Sequence, residues 1–442
     1  MVIALGMPGA AGATAPDSRV FTLPDAVARA LREGPDAKLA HLATTQADAA
    51  VGQARSVYWP QAGVSSQIGW SDRQNDTINA LDGQYVLKRY PLSSLGSNQP
   101  WLSVYIDQVL FDLSRWHGVE RTELEREATA VQEAEQRESI SLTVTEQYVN
   151  LLRLQGLAAL DAQRVTQAEW LDHQAVTLLE AGRALPAERD QVALALEEAR
   201  LQVDTRAQEL DGARVALWRA VGGDAEAPPF ELAPDSVPAA TAPVDPSSDD
   251  ALRAIPELRI LDLRRRMEEE SLAAARAEGL PTLGLHGGYF HYGTKRYDSF
   301  TDEMAVGVDL KVPVFSGFKT SSAIEGASEA LEAARLRYDA VRESKRARLQ
   351  DLARQLASTQ KQPELAERRA RLAEERRRVA DVALQTQRGS LTEAMTARTE
   401  ADRAGRAAVD ARFDRVLLWA NFKREAGALA TALIGDQASA AP

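Results

Sequence analysis

The chain has 442 residues and a formal net charge of -12, from 52 Lys and Arg against 64 Asp and Glu; acid and base are spread along it rather than gathered into the basic face that phosphates require, which argues against a nucleic-acid binder. It contains no cysteine, which excludes disulfides, thiolate catalysis, thiolate metal sites and lipidation of an N-terminal cysteine. No apolar run approaches the ~20 residues of a membrane-spanning helix, so any passage through a membrane would fall to strands.

Residues 1–15 join a short apolar run to small residues ending Ala13-Thr14-Ala15, the small-x-small pattern of an export signal without its basic start, and read as a signal-peptide remnant. A first repeat spans 16–222. Thr22, with Asp25 just behind it, opens a short helix that Gly34 and Pro35 close, and an amphipathic helix of about 24 residues follows to Tyr58. From Ala62 the period changes to two: Ala62, Val64, Ile68 and Trp70 alternate with Gly63, Ser65, Gln67 and Gly69, a strand over about 61–72. A polar loop from about Asp72 to Pro100 leads to a second strand over about 101–111, where Leu102, Val104 and Ile106 alternate with Ser103, Tyr105 and Asp107. From Ser114 to Glu180 there is no proline and only two glycines, a helix of ~100 Å if continuous. It meets a turn near 182–188 and returns to Val221.

A Pro-, Ala-, Asp- and Ser-rich linker, 223–248, is expected to have little structure of its own. The second repeat, 249–433, follows the same plan. Strands are expected over about 282–292 and 304–314, the latter with Met304, Val306, Val308 and Leu310 alternating with Ala305, Gly307, Asp309 and Lys311. A helical run from Ser321 to Gln387 should kink or break at Pro363. It turns near 389–393 and returns to about Leu433, with a disordered tail over 434–442. The two halves share a frame, since Pro35 and Pro60 recur as Pro256 and Pro281, Leu39 as Ile260, Leu42 as Leu263, and Ala54-Arg55 as Ala275-Arg276, all shifted by 221 positions. That offset points to an internal duplication.

Strands of about ten residues with aromatic residues such as Trp59, Trp101, Phe111, Phe315 and Phe318 near their ends suit a tilted crossing of a bilayer; two hairpins packed into a small soluble sandwich are the alternative from pattern alone. Four strands cannot close a membrane barrel, and an open edge cannot face lipid without losing backbone hydrogen bonds worth several kcal/mol each. Three chains would supply twelve strands, although arithmetic alone also permits two or four. The expected fold class is therefore an α+β membrane protein: a β-barrel shared between chains, four strands each, continued by a long coiled-coil-like α-helical barrel.

The order strand pair, long helix, glycine-containing turn and returning helix, twice over, resembles the TolC-like outer-membrane channel proteins across nearly the whole chain. The most specific pieces are "VLFDLSRW" (Val109–Trp116) and "VPVFSGFKT" (Val312–Thr320) at the strand-to-helix junctions, and the turns led by Gly182 and Gly389. From Phe111 to Gly182 is 71 residues and from Phe315 to Gly389 is 74. The resemblance implies a homotrimer whose three chains share a twelve-stranded β-barrel in the outer membrane of a Gram-negative bacterium, in contact with outer-membrane lipid, with a large periplasmic tunnel whose tips dock onto a periplasmic adaptor and an inner-membrane transporter, driven by ATP or protons. The function it implies is a passive exit duct for efflux or type I secretion. A periplasmic adaptor or soluble coiled-coil scaffold is the alternative, but two hairpins with lipid-length strands fit an adaptor poorly.

Chemistry is sparse. His286 and His291 are close in sequence but fall on opposite faces of a strand, so a metal role is not expected, and no phosphate loop, nucleophile motif or metalloprotease helix is present. Neither an enzyme nor a cofactor is expected. The resemblance puts the periplasmic gate at the turns. By position, Glu188 and Glu393 match gate acids, Asp190 and Thr396 are further gate candidates, and Thr396 stands where the family often has a second acid. Leu391 occupies the place of an arginine, so Arg183, Arg189 or Arg388 would have to supply the basic partner. Gly182, Leu185, Pro186, Gly389, Leu391 and Thr392 are the tip and docking candidates. From the residues alone, Glu188 is an acid in the first turn of a helix, favoured by the helix dipole.

Overall fold

The computed structural model describes residues 20–68, 78–82, 85–90, 100–224, 227–228, 230–238, 248–294 and 299–435. The signal-peptide reading of 1–15, Trp70 and most of the expected tail lie outside them. In chain order the elements are β1 (Val20–Phe21), α1 (Leu23–Glu33), α2 (Pro35–Arg55), β2 (Gln61–Ile68), β3 (Ile78–Asp82), β4 (Tyr85–Tyr90), β5 (Pro100–Phe111), α3 (Leu113–Glu180) and α4 (Pro186–Ala220). There follow β6 (Glu231–Leu232), α5 (Asp249–Ala254), α6 (Pro256–Ala277), β7 (Thr282–Thr294), β8 (Ser299–Lys311), α7 (Lys319–Ser358), α8 (Gln362–Gln385), α9 (Leu391–Glu425) and α10 (Leu429–Ile434).

The chain divides into two compact units, one drawn from the segments up to His41, from Gln132 to Pro256 and from Arg342 onward, the other from Leu42–Val131 and Glu257–Val341. The second unit carries a four-stranded antiparallel sheet in the order β2-β5-β7-β8. Val64, Val104, Tyr289 and Met304 form one cross-strand row, and Ala62, Ile106, Gly287 and Val306 the next. These rows share a face because side chains alternate along a strand, and that face is open: Met304 is 81% and Val306 80% exposed. The opposite face carries mostly small and polar residues, with Tyr105 and the buried Phe290 among them. There the Ser65 and Ser103 hydroxyls meet at 2.7 Å, and the Tyr105 ring covers Gly63 so closely that a Cβ at 63 would lie 2.5 Å from it. In the same unit Leu124, Ala128 and Val131 of α3 pack on Ile260 and Leu263 of α6. The outer strands β2 and β8 each have one neighbour, so both sheet edges are unpaired among the described residues.

Two local readings of this unit change. The polar stretch expected as a loop between the first strands contains an antiparallel hairpin, β3–β4, to which the β-prone run Tyr85-Val86-Leu87-Lys88-Arg89-Tyr90 contributes one strand. Strand β8 begins at Ser299, not 304, because the ladder with β7 runs unbroken to Thr294↔Ser299 and carries the polar Thr301-Asp302-Glu303 with it. It ends at Lys311, two residues before Pro313, which has no N–H to give a ladder.

The first unit is helical. Thr22 caps α1 by accepting the Asp25 N–H at 3.2 Å, and its apolar stripe, Leu23, Ala26, Val27 and Ala30, is fully buried against α3, α4, α9 and α10 in one core that includes Val144, Tyr148, Leu217, Trp419 and Leu429. The described part of the linker, 230–238, is more ordered than its composition suggests. Within it β6 pairs in parallel with β1, and the buried Tyr148 hydroxyl bonds the Phe21 carbonyl at 2.8 Å, the Ala233 carbonyl at 3.0 Å and Ser236 Oγ at 3.0 Å. Glu138 is likewise buried and accepts the Leu429 N–H at 2.6 Å, fixing the start of α10, and its burial pushes the carboxyl pKa up. The second long run breaks between Ser358 and Gln362, and Pro363 sits in the first turn of α8, where a missing N–H costs nothing. Among the described residues no helix is long and apolar enough to cross a membrane.

Candidate functional site

The two helical turns lie in the first unit and are closed by the same device. After α3, Gly182 takes a left-handed conformation (φ 70°), and the Arg183 and Ala184 N–H groups donate to the Leu178 carbonyl at 2.8 and 3.2 Å. After α8, the left-handed residue is Gln387 (φ 61°), and the Arg388 and Gly389 N–H groups donate to the Ala383 carbonyl at 2.8 and 3.0 Å. Gly182 is therefore equivalent to Gln387 rather than to Gly389, the match expected from glycine positions. Measured this way, the turn lies 71 residues after Phe111 and 72 after Phe315.

Six residues beyond each left-handed position stands an acid, Glu188 or Glu393, and each caps the helix it opens. Glu188 Oε2 accepts the Leu185 N–H at 2.9 Å, and Glu393 Oε2 accepts the Ser390 N–H at 3.0 Å. In the second turn Ser390 Oγ reciprocates by accepting the Glu393 N–H at 3.2 Å, a complete capping box. Leu185 has no side-chain oxygen, so the first turn has half of it. The free side of Glu188 faces the other hairpin, where the Thr392 hydroxyl donates to its Oε1 in a long bond of 3.4 Å. Asp190 is exposed and paired with Arg189 at 3.3 Å, and the Thr396 hydroxyl donates to the Thr392 carbonyl within α9 at 2.9 Å.

The docking candidates separate by exposure. Leu185 is 66% exposed, and Gly182 and Pro186 stand beside it in the open. Leu391 is 4% exposed and packs with Leu171, Ala175, Val192, Leu384 and Ala394 in a small core that holds the two hairpins level. Thr392 is exposed and Gly389 half-buried.

Behind this core lie two charge clasps that sequence reading missed. Asp161 of α3 is fully buried and accepts Arg206 Nε of α4 at 3.0 Å and Arg406 Nη2 of α9. Arg206 also donates to Glu209, and Arg406 to both oxygens of Asp402 at 3.1 Å. Nearer the tips, Arg398 of α9 donates to the Gln167 carbonyl of α3 at 2.7 Å and to Asp381 of α8 at 2.7 Å, and its guanidinium lies 4.9 Å from the Trp170 ring centroid. Burial draws the Arg398 pKa down, and Asp381 opposes that shift; Arg377 donates to the other oxygen of Asp381. The available signal was position. Asp161 falls seven and four residues along from Leu154 and Leu157, on the stripe that reaches Leu171 and Ala175, and a charge on an inward stripe needs a buried partner.

Among the described residues no group of three His, Cys, Asp or Glu could hold a metal. His286 approaches Asp309 at 3.9 Å, and His291 bonds Asp302 at 2.7 Å, at separate places on the sheet.

Residues 248–428 match the family model of outer membrane efflux proteins, while no curated protein sequence matches the chain. The fold is that of solved outer-membrane channels. The outer membrane protein VceC of Vibrio cholerae is 14% identical with a TM-score of 0.74, covering 92% of this chain and 96% of its own. The outer membrane channel CmeC of Campylobacter jejuni is 15% identical with a TM-score of 0.75, covering 96% and 93%. A membrane protein of Pseudomonas aeruginosa is 16% identical with a TM-score of 0.78, covering 95% and 97%. Efflux channels of this kind are passive conduits rather than enzymes. Residues 248–428 are thus similar to the outer membrane efflux protein family, and the chain as a whole carries the fold of these outer-membrane channels.

Proposed function

We propose that this chain is one third of a homotrimeric outer-membrane exit duct, descended from an internal duplication, in which three four-stranded sheets close a twelve-stranded barrel. The observation that carries the reading is the sheet itself. It has one continuous exposed apolar face, a mostly small and polar face opposite, and, among the described residues, two unpaired edges, β2 and β8. Joining β8 of one copy to β2 of the next satisfies both edges and turns the apolar rows toward lipid. The duct has no energy source of its own; a periplasmic adaptor and an inner-membrane transporter supply direction, docking at the tips around Leu185 and Thr392. Extraction tests the membrane reading: the protein should stay with the outer membrane in high salt and leave only in detergent, as a trimer when cross-linked. Release by salt, or a cross-linked monomer, would overturn it.

At the tips, three copies of Glu188 and Glu393 would place six carboxylates around one constriction. Crowded like charges attract cations and oppose anions, so this ring would make the closed duct cation-selective. Each acid also caps its own helix, which holds it at a defined place. Planar-bilayer conductance of Glu188→Ala and Glu393→Ala should show reduced cation selectivity and weaker block by divalent cations. Unchanged values in both would remove these acids from the gate.

A further inference from the structure

Between the two charge clasps of the first unit lies a cavity of about 140 Å³, lined by Gln163, Arg164 and Gln167 of α3, Glu374 of α8, and Arg398 and Asp402 of α9, with apolar side chains of α3, α4 and α9 completing it. Here α3 and α9 pass each other in a fixed register: Asp161 meets Arg406, Arg164 approaches Asp402, and the Gln167 carbonyl accepts Arg398. Arg164 and Arg398 therefore reach the cavity from opposite helices one turn (~5.4 Å) apart. Gln163 is exposed and the Arg164 side chain 36% exposed, which puts the mouth on that side.

The acids and bases of this lining are unequally engaged. Glu374 gives one oxygen to Arg377 Nε at 2.9 Å and the other to Arg377 Nη2 at 2.7 Å, and Asp402 gives both of its oxygens to Arg406 Nε at 3.1 Å. Arg164 has only Asp402 Oδ2, 3.7 Å away and beyond hydrogen-bond reach. Arg398 donates through its two Nη groups to Gln167 and Asp381, but its Nε is buried with no protein partner among the described residues. A buried donor left without a partner is unfavourable, and the acids that could serve these two guanidinium groups are committed elsewhere.

We propose that this cavity is a site for a small oxyanion, a phosphate or a carboxylate, which accepts from Arg398 Nε and from the Arg164 guanidinium and so bridges the first helical hairpin to the second. The other ligand classes fit less well. A metal cation would meet acids whose oxygens already face arginines, and an apolar ligand would leave the buried Nε–H unpaired. An oxyanion accepts several charge-assisted bonds from guanidinium groups. The volume of about 140 Å³ is several times the ~10–15 Å³ that one water needs, so such an ion fits with water beside it. Every residue of the site comes from one chain, and the inference does not depend on the channel reading.

The purified protein in detergent tests this with inorganic phosphate, acetate and chloride at equal ionic strength. Because the Arg398 guanidinium lies 4.9 Å from the Trp170 ring centroid, filling the site should change tryptophan fluorescence saturably, and Trp170→Phe should abolish that change. Phosphate, acetate or both should also raise the thermal midpoint saturably, as a ligand of the folded state does, and whichever does so names the oxyanion. Arg164→Gln, which gives up only a 3.7 Å contact, should keep the anion-free midpoint and weaken the affinity about tenfold, the loss of one charge-assisted bond. In the wild-type protein the same oxyanion should slow phenylglyoxal modification of Arg164, mapped by mass spectrometry, and leave the exposed Arg368 and Arg369 unprotected. A response to chloride equal to that of both oxyanions, an affinity unchanged in Arg164→Gln, or equal modification of Arg164 with and without oxyanion would overturn the site.

Discussion

Replacing Asp161 with alanine tests whether the buried clasp holds the helices together. Asp161 is wholly buried and receives guanidinium groups from α4 and α9, and the Arg206 side chain is itself only 11% exposed. Two charge-assisted bonds at ~1.5–3 kcal/mol each set the scale. Arg206 keeps Glu209 and Arg406 keeps Asp402, so neither cation is left bare, and the loss should fall near the low end, ~3 kcal/mol, similar to breaking other buried pairs. For a unit of this size that is a fall of ~6–12 °C in the midpoint of helical unfolding, read by circular dichroism at 222 nm in detergent. Arg200→Ala is the control. Its partner Glu169 and Arg200 are 50% and 58% exposed, and such surface pairs contribute ~0.2–1 kcal/mol, hence no more than ~4 °C. Midpoints for the two variants within ~2 °C of each other would show that burial does not raise the worth of the Asp161 clasp.

At the turns, Gln387→Gly should stabilise the protein by ~0.5–1 kcal/mol, because a left-handed conformation costs a non-glycine residue ~1–2 kcal/mol and glycine returns part of that in backbone entropy; Gly182→Ala should destabilise by ~1–2 kcal/mol, and chemical denaturation reads both. Val306→Arg, on the exposed apolar row, should cost ~2–4 kcal/mol if that row meets the middle of a bilayer, seen as loss of trimer from the outer membrane, whereas an unaltered yield would contradict a lipid-facing row. Glu138 gives a pH dependence. Burial raises its folded-state pKa above the ordinary 4.5, so the folded protein binds the extra proton and stability falls as pH rises from about 4.5 through the raised value. Glu138→Gln keeps an acceptor for the Leu429 N–H and should flatten that slope; an unchanged slope would place the titration elsewhere.

Local pattern made much of this protein legible. Period-two alternation located the apolar rows of β5 and β8, the proline-free run located α3, and Pro363 marked the break before α8, because each depends on backbone preferences confined to a few neighbouring residues. Glycine was a poorer guide. Gly389 drew the second turn two residues too late, since the turn needs a left-handed residue but not a glycine, and Gln387 is held there by the carbonyl of Ala383. The ordered linker escaped notice because its partners, Phe21 and Tyr148, are remote in sequence.

The sequence alone therefore determined the long helices, the four strands of the main sheet, their order and the two faces of that sheet, all of which follow from alternation and helical period, but not the β3–β4 hairpin or β6. Only the tertiary structure decided which strands share an edge and that β5 pairs with β7, leaving β2 and β8 open. It also decided that Leu391 is core while Leu185 is surface, and that Asp161 and Arg398 tie helices from distant parts of the chain. Those outcomes rest on distances between residues far apart along the chain, which composition and spacing do not encode.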